Sequence, residues 1–355
     1  MRNFLHYISL RPVALICFIV LIILYAVMLC AEFIAPYSPT TSFHERTYCP
    51  PNIRAKAHNG ALLQVQENRI TDTISFTYAR VKGAYTPVRF FVKGERYKIA
   101  GIIPADRHLF GTVDNAGTGA NVEPVFLLGA DNLGRDIFSR IVYGSRISLS
   151  IGFAATAISL TLALLFGGLA GYFGGKTDWF VMRFAEFFML IPSLYLILFL
   201  RSLFAGTMDT GKSYILITVI LSLVGWTGTA RTIRGLVHSV KNEDFVLNAQ
   251  IEGAGAGEII FLHIVPQFRS LLIVMVALNI PAFIMSETAL SYLGLGIADP
   301  AVSWGSMIKR EISTLGNLKA YPWLLSPVYF LLAVTLAFNF LADALRDFFD
   351  PYHNA

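Results

Sequence analysis

Lys241 to Gln267 reads KNEDFVLNAQIEGAGAGEIIFLHIVPQ and lies between two long apolar runs. Asn242, Glu243 and Asp244 supply capping groups and N-terminal charge for a helix beginning near Phe245. Gly253, Gly255 and Gly257 interrupt that helix and allow a turn. Glu258 to Val265 starts a second short helix, and Pro266 marks the entry to the next apolar run. Two short helices joined at a glycine turn make a compact knob. On spacing alone, it reads either as a loop connecting membrane helices or as a rigid part for another protein to push on.

The surrounding chain is too apolar for a soluble enzyme. Of 355 residues, 55% are hydrophobic and 14% charged, which places it among polytopic membrane proteins. The net charge of +5 fits membrane topology better than nucleic-acid binding. Cys17, Cys30 and Cys49 have no metal-binding or redox spacing, and neither do His44, His58 and His108.

Val13 to Ala31 is uncharged and long enough to span a hydrocarbon core of roughly 30 Å. Arg2 and Arg11 put its N-terminus in the cytoplasm, as for an uncleaved anchor. Glu32 to Leu128 is polar, with strand-like runs at Ile74–Val81 and Val88–Ile103, and Val92–Arg96, within the second run, reads as a hairpin turn between two strands. This predicts a small β-rich extracytoplasmic domain. In Leu127–Gly144, Asp131 and Asn132 are placed to cap a helix. Its stripe would be Ile137, Phe138, Ile141 and Val142, with Arg135, Asp136, Ser139 and Arg140 off it, as in an interfacial amphipathic helix.

Ile147–Phe173 is the next span, rich in small residues, with Gly167 and Gly171 forming a small-xxx-small pair. Gly174–Asp178 is a cytoplasmic turn without the spacing of a phosphate loop. Phe184–Phe204 spans next, interrupted by Pro192, with Glu186 and Arg201 near its ends; Ala205–Ser213 is a short outer loop. Tyr214–Ala230 returns, and Arg231 and Arg234 close it on the inside, so the knob is cytoplasmic. Leu271–Ile297 runs outward and carries Ser286 and Glu287. Glu287 reads either as a buried acid bonded to a neighbouring helix or as a group lining a translocation path, and Ser286 and Glu186 share the second reading. Ala298–Pro322 is outside, with Trp304 and Trp323 expected at the interface, although Lys309, Arg310 and Lys319 run against the charge bias. Trp323–Ala342 is the last span. The count is six spans with both termini inside.

The knob resembles the cytoplasmic motif of binding-protein-dependent ABC importer permeases: Glu-Ala-Ala, three residues, Gly, nine residues, Ile-x-Leu-Pro. Here the matching positions are Leu247-Asn248-Ala249, Gly253 with Ala254 after it, and His263-Ile264-Val265-Pro266. Leu247 and Asn248 replace the Glu and the first Ala. His263 replaces the Ile, as in the oligopeptide and dipeptide branch. Gly129, Asp131, Gly134, Arg135, Asp136, Ser139 and Arg140 resemble the segment before the second membrane helix in that branch's C-type subunit. The stretches at Ser286-Glu287, Leu290–Gly296, Ser303-Trp304-Gly305, Asp343–Asp347 and Asp350-Pro351 resemble it too.

The resemblance implies an all-α polytopic fold of six transmembrane helices, of the type I importer kind, with an inserted β-rich domain. Its parts would be 1–34 with the first helix, 35–128 inserted, 129–146 amphipathic, 147–342 a five-helix core with the coupling loop 241–267, and 343–355 a cytoplasmic tail. It implies a bacterial inner-membrane subunit for peptides, or else nickel chelates or oligosaccharides. The partners would be a second permease subunit, two ATPase subunits and an extracytoplasmic solute-binding protein. ATP and magnesium would sit on the ATPases, with no cofactor on this chain. An ion-coupled secondary transporter, which needs paired intramembrane acids or inverted repeats, is the reading from another class. An intramembrane enzyme would need a nucleophile and a base at depth, and the spans contain no histidine.

Overall fold

A peptide group in lipid finds no water, so apolar runs close their hydrogen bonds within helices. The computed structural model describes residues 2–58, 61–73, 75–99, 102–112, 123–203, 210–311 and 315–349. Its first elements are α1 (Arg2–Ser9), α2 (Pro12–Leu29) and α3 (Ala31–Ile34). Strands β1 (Ile53–His58), β2 (Ala61–Asp72), β3 (Thr77–Ile99) and β4 (Ile103–Thr112) follow. Then come α4 (Ile137–Phe173), α5 (Gly175–Leu190), α6 (Ser193–Leu203), α7 (Thr210–Val240) and α8 (Asp244–Ile251). The helical rod α9 (Ala256–Tyr292) precedes α10 (Trp304–Glu311), α11 (Leu315–Ala320) and α12 (Ser326–Phe349). Among the described residues, five helices are long and apolar enough to cross a membrane: α2, α4, α7, α9 and α12 with its leading turn. The Phe184–Phe204 run is divided between α5 and α6, which part at Ile191 and Pro192. The side chain of Arg201, most of the 205–213 loop and the Asp350-Pro351 pair lie outside the described residues.

The chain divides into two compact units, Met1–Leu21 with Ser150–Glu287 and Val334–Ala355, and Ile22–Leu149 with Thr288–Ala333. In the first, α4 and α7 meet backbone to backbone. A Cβ on Gly167 would lie 2.5 Å from the Ala230 carbonyl, and one on Gly171 2.6 Å from that of Arg234. Trp226 is buried there between Phe166 and Phe184, with ring centroids 5.1 and 6.3 Å away. Near the chain ends, Arg11 pairs with Asp347 and lies over the Tyr7 ring, while Phe4 and Tyr7 each sit 5.2 Å from Phe348.

In the second unit, the four strands form an antiparallel sheet in the order β1-β2-β3-β4. Its core is Val65, Val88 and Val125, backed by Ile53, Leu63 and Phe110. The expected hairpin turn at Val92–Arg96 is not a turn. β3 runs through it, with a register shift between Lys93 and Tyr97, because Val92 and Tyr97 both keep partners on β4. Gly94 serves close packing instead, with a Cβ there falling 2.6 Å from the His108 ring. Trp304 is not an interfacial anchor either. It is fully buried, donating its indole N–H to the Ile141 carbonyl at 3.0 Å. Arg146 reaches the carbonyls of Met28 and Leu29 at the end of α2, at 3.0 and 3.2 Å, and pairs with Glu32.

Gly167→Val should destabilise the fold by about 1–3 kcal/mol, because the new methyls meet backbone that cannot move aside. A thermal melt of the detergent-purified protein checks this, with the substitution Leu165→Val at an exposed position of α4 leaving the melt nearly unchanged.

Candidate functional site

The knob is built on α8. Its backbone N-cap is Glu243, and its end is closed by Gly253 at φ +86°. Ala254 N–H reaches the Ala249 carbonyl and Gly253 N–H the Gln250 carbonyl, both at 3.0 Å. This paired closure needs a left-handed residue, and glycine adopts that conformation without strain. Of the three glycines expected to break the helix, only Gly253 does so. Gly255 caps the next helix in extended conformation, and Gly257 lies inside it. The expected second short helix is also absent as a separate element. From Ala256 the helix continues through a wide turn at Ile259–Ile264 and a tight one at Val265–Phe268 into the rest of α9. Pro266 sits at the start of the tight turn, where its missing N–H costs little.

The faces of α8 differ. Val246 and Ala249 are buried in a cluster with Ile259, Ile264, Trp226, Ala230 and Val237, and Ala254 packs against it. Gln250 holds the Tyr172 hydroxyl at 3.1 Å, and both Asp178 oxygens pair with Arg234. Phe245, Leu247 and Ile251 face outward, Ile251 with 83% of its surface exposed, and Leu262 is also exposed. Asn248, Gly253 and Pro266 are exposed, and His263 is half-buried. The sequence motif carried the buried base and the closure; the apolar crown was missed, although the i, i+4 spacing of Leu247 and Ile251 encodes it.

In the other unit, the segment before α4 does not form an amphipathic helix of its own. α4 starts at Ile137 and runs unbroken to Phe173, and its N-terminal cap is Asp136, which accepts from the Ser139 amide and hydroxyl at 2.8 and 2.6 Å. Asp131 organises the loop instead, accepting from the Leu133 and Arg135 amides at 2.8 and 2.9 Å and from the Arg135 guanidinium at 2.7 Å. Gly129 and Gly134 have positive φ, and Gly129 lies against the Trp323 indole. The polar face expected at the membrane surface is buried: Asp131, Arg135, Asp136, Ser139 and Arg140 are all at or below 6% exposure. The reason is a second set of charges from distant sequence. Asp299 lies 3.8 and 3.9 Å from Arg135 and Arg140 and pairs with Arg310, and Glu311 is buried beside them. Arg310, which opposed the charge bias of the loops, belongs to this cluster. A cavity of about 290 Å³ opens beside it, lined by Arg140, Asp299, Ser306, Lys309 and Arg310 among others.

Burial pushes the Asp136 carboxyl up to about 7, against its bonds from Ser139. Burial, with Asp131 adding to it, pushes Glu311 up to about 8 against the pull of three arginines. Of the proposed path residues, Glu287 is fully buried, the Ser286 hydroxyl bonds the Ala282 carbonyl, and Glu186 pairs with Arg183 one turn away. One stretch escaped the sequence reading. Gly206 to Ser213, GTMDTGKS, has the spacing of a phosphate-binding loop. That motif needs a strand before it, and here the preceding described element is the helix α6, with Gly211, Lys212 and Ser213 already inside α7.

Residues 163–352, more than half of the chain, match the family described as binding-protein-dependent transport system inner membrane component. The chain belongs to this family. Residues 1–51 match the N-terminal TM domain of oligopeptide transport permease C. The permease is 37% identical over 231 residues to the oligopeptide transport system permease protein OppC of Haemophilus influenzae, covering 65% of this chain and 71% of that one. It is 39% identical over 224 residues to the dipeptide transport system permease protein DppC of Bacillus subtilis, covering 63% and 68%. It is 36% identical over 230 residues to the nickel transport system permease protein NikC of Escherichia coli, covering 63% and 78%. It is thus a multi-pass inner-membrane permease subunit of a binding-protein-dependent ABC importer, a transport rather than a catalytic subunit, working with a binding protein and an ATPase. All four strands fall between the two matched ranges.

Asp131→Ala should cost about 3–5 kcal/mol in thermal unfolding, since it leaves Arg135 and Arg140 buried without their nearest anion. The raised carboxyls set a pH dependence. Folding holds their protons more tightly than the unfolded chain does, so this stabilisation is complete below the ordinary carboxylate range and is lost as pH rises through about 7 and 8. The melting temperature should therefore fall from about pH 4 to about pH 8 and level off above that, and Asp136→Asn with Glu311→Gln should flatten that slope.

Proposed function

We propose that this permease imports oligopeptides or dipeptides by ATP-driven alternating access, with α8 and the start of α9 as its coupling element. The observation that carries the coupling is the exposed apolar crown of Phe245, Leu247, Ile251 and Leu262 over a buried base. Such a patch on a rigid support suits a cleft in another protein. Nucleotide-driven closure of paired ATPase subunits would move α8 with the helices it packs on and bias the permease between inward- and outward-facing states. Leu247, Asn248, Ala249, Gly253, Ala254, His263 and Pro266 form this element. Peptides come first because two of the relatives above are named for them; the nickel permease keeps metal chelates as the second reading, and oligosaccharides follow.

Six spans complete the architecture when α5 and α6 act together as one broken span. The pairing of Arg11 with Asp347 and of Phe4 with Phe348 supports placing both termini on one side, and the charge bias makes that side cytoplasmic. The sheet is then extracytoplasmic, an inserted domain within 35–128, and a second permease subunit completes the pathway. Glu287, Ser286 and Glu186 are candidates for its lining in another conformation of the cycle. The network of Gly129, Asp131, Gly134, Arg135, Asp136, Ser139 and Arg140 anchors the outer end of α4.

Ile251→Glu should abolish co-purification of the ATPase subunits from native membranes while leaving the amount of inserted permease unchanged. Gly253→Pro should abolish transport with insertion intact, because proline cannot take the positive φ that closes α8. Retention of the ATPases by the first variant, or normal uptake by the second, would refute the coupling role.

A further inference from the structure

The β3–β4 hairpin ends in apolar residues that no protein surface covers. Ile102 is 80% and Ile103 60% exposed. Adjacent residues near a strand end point to opposite sides, so neither side of the tip is packed. Around the tip, Arg96, Lys98 and Arg107 are exposed cations. The nearby acids are engaged elsewhere: Glu95 accepts from the Ser38 amide and the Thr41 hydroxyl, and Asp106 lies 3.7 Å from Lys93.

The direction of the hairpin follows from its contacts with the chain just after α2. Thr112 meets the Tyr37 hydroxyl. Four residues along β4, His108 Nδ1 donates to the Ala35 carbonyl at 2.6 Å. Further on, Tyr97, paired with Ala105, lies close enough to Glu32 to feel its charge. Moving along β4 from Thr112 toward Ile103 thus tracks the chain backward from Tyr37 to Glu32, toward the end of α2 at Leu29. Ile103 and Ile102 lie two and three residues beyond Ala105, about 7–10 Å farther. The same distance down a helix from Glu32 is about five to seven residues, which reaches the last turn of the membrane-spanning α2. Phe91, 60% exposed and 5.9 Å from Phe33, extends the apolar surface on the same flank.

We propose that the β3–β4 hairpin dips into the extracytoplasmic leaflet of the membrane that α2 crosses. Ile102 and Ile103 seat at the boundary of headgroups and acyl chains, and Arg96, Lys98 and Arg107 engage lipid phosphates. The depth fits that of apolar side chains in interfacial segments, and the charges fit an anionic surface. The occupant is lipid because the surface continues that of α2 and carries the complementary charge. This rests on the proposed placement of the sheet outside the cytoplasm.

The test uses the full-length permease in nanodiscs containing phosphatidylglycerol. Cys17 and Cys30 are changed to Ala; Cys49 stays, since it is buried with its thiol pushed up to about 12 and does not alkylate. A fluorophore sensitive to its surroundings is placed on Ile102→Cys or, as control, on Thr73→Cys at the exposed β2–β3 turn. At position 102, lipids brominated near the headgroup should quench and aqueous iodide should not; at position 73 the order reverses. Reversing charge at Arg96, Lys98 and Arg107 to Glu should lower the bromolipid quenching. Iodide quenching at 102 without bromolipid quenching overturns the proposal. So does insensitivity to both quenchers, which would mean that a protein surface covers the tip. Labelling of Thr73→Cys by a membrane-impermeant maleimide in spheroplasts reports the side of the membrane separately, so a failed topology is told apart from a failed insertion.

Discussion

A backbone amide in hydrocarbon can bond only to its own chain, and the helical part of this permease follows from that constraint. It explains why α4 stays unbroken through its apolar stretch from Ile147 to Phe173. It also explains what the hydroxyls do: Thr156, Thr218, Ser222 and Ser286 each bond a carbonyl one turn back, so they enter the apolar run without an unpaired group. Where the ladder does break, at Ile191 and Pro192, proline has removed the donor. Since lipid tails are as apolar as leucine, helix association relies on close fit rather than burial. Gly167 and Gly171 supply that fit by admitting the carbonyls of Ala230 and Arg234.

Charge imposes a second constraint where the chain leaves the bilayer. A guanidinium inside a protein needs an anion and its remaining donors filled. Arg135 and Arg140 find their anions in Asp131 and Asp299, and Arg140 adds a bond to the Pro39 carbonyl at 2.9 Å, although Arg135 Nη2 and Arg140 Nε stay buried without a hydrogen bond of good geometry. The cost appears in the carboxyls. Asp136 and Glu311 sit where burial outweighs their partners, and both are pushed toward neutrality. A cluster of this kind fixes one geometry of the loop, because any register shift would leave a charge without its counterpart.

Five of the expected spans and the glycine approach of α4 were legible because hydropathy and small-residue spacing act locally along the chain. The buried network was not. Asp131 and Arg140 carry no mark of Asp299 or Glu311, which lie more than 150 residues away, so a polar face that would suit water was read as facing water. Trp304 failed for the same reason, its partner being the carbonyl of Ile141. In the sheet, Gly94 mimicked a turn, while its actual use is to admit the His108 ring, a contact set by pairing rather than by local sequence. In the knob, Pro266 looked like a boundary, yet a proline in the first turn of a tight helix leaves the rod continuous.

The knob also departs from its family pattern in a consistent way. The position where the motif has Glu is Leu247, half of an i, i+4 pair with Ile251, and both project from the face opposite Val246 and Ala249. A Glu there would offer one polar contact at the rim of a partner's cleft. A Leu instead adds to the exposed apolar surface that Phe245, Ile251 and Leu262 also supply, and attachment there would draw on burial and not on a single hydrogen bond. The paired closure at Gly253 and the anchoring of Gln250 on Tyr172 hold that surface fixed on its base, so in the proposed coupling role the loss of the acid would leave the lever intact and change only how a partner gripped it.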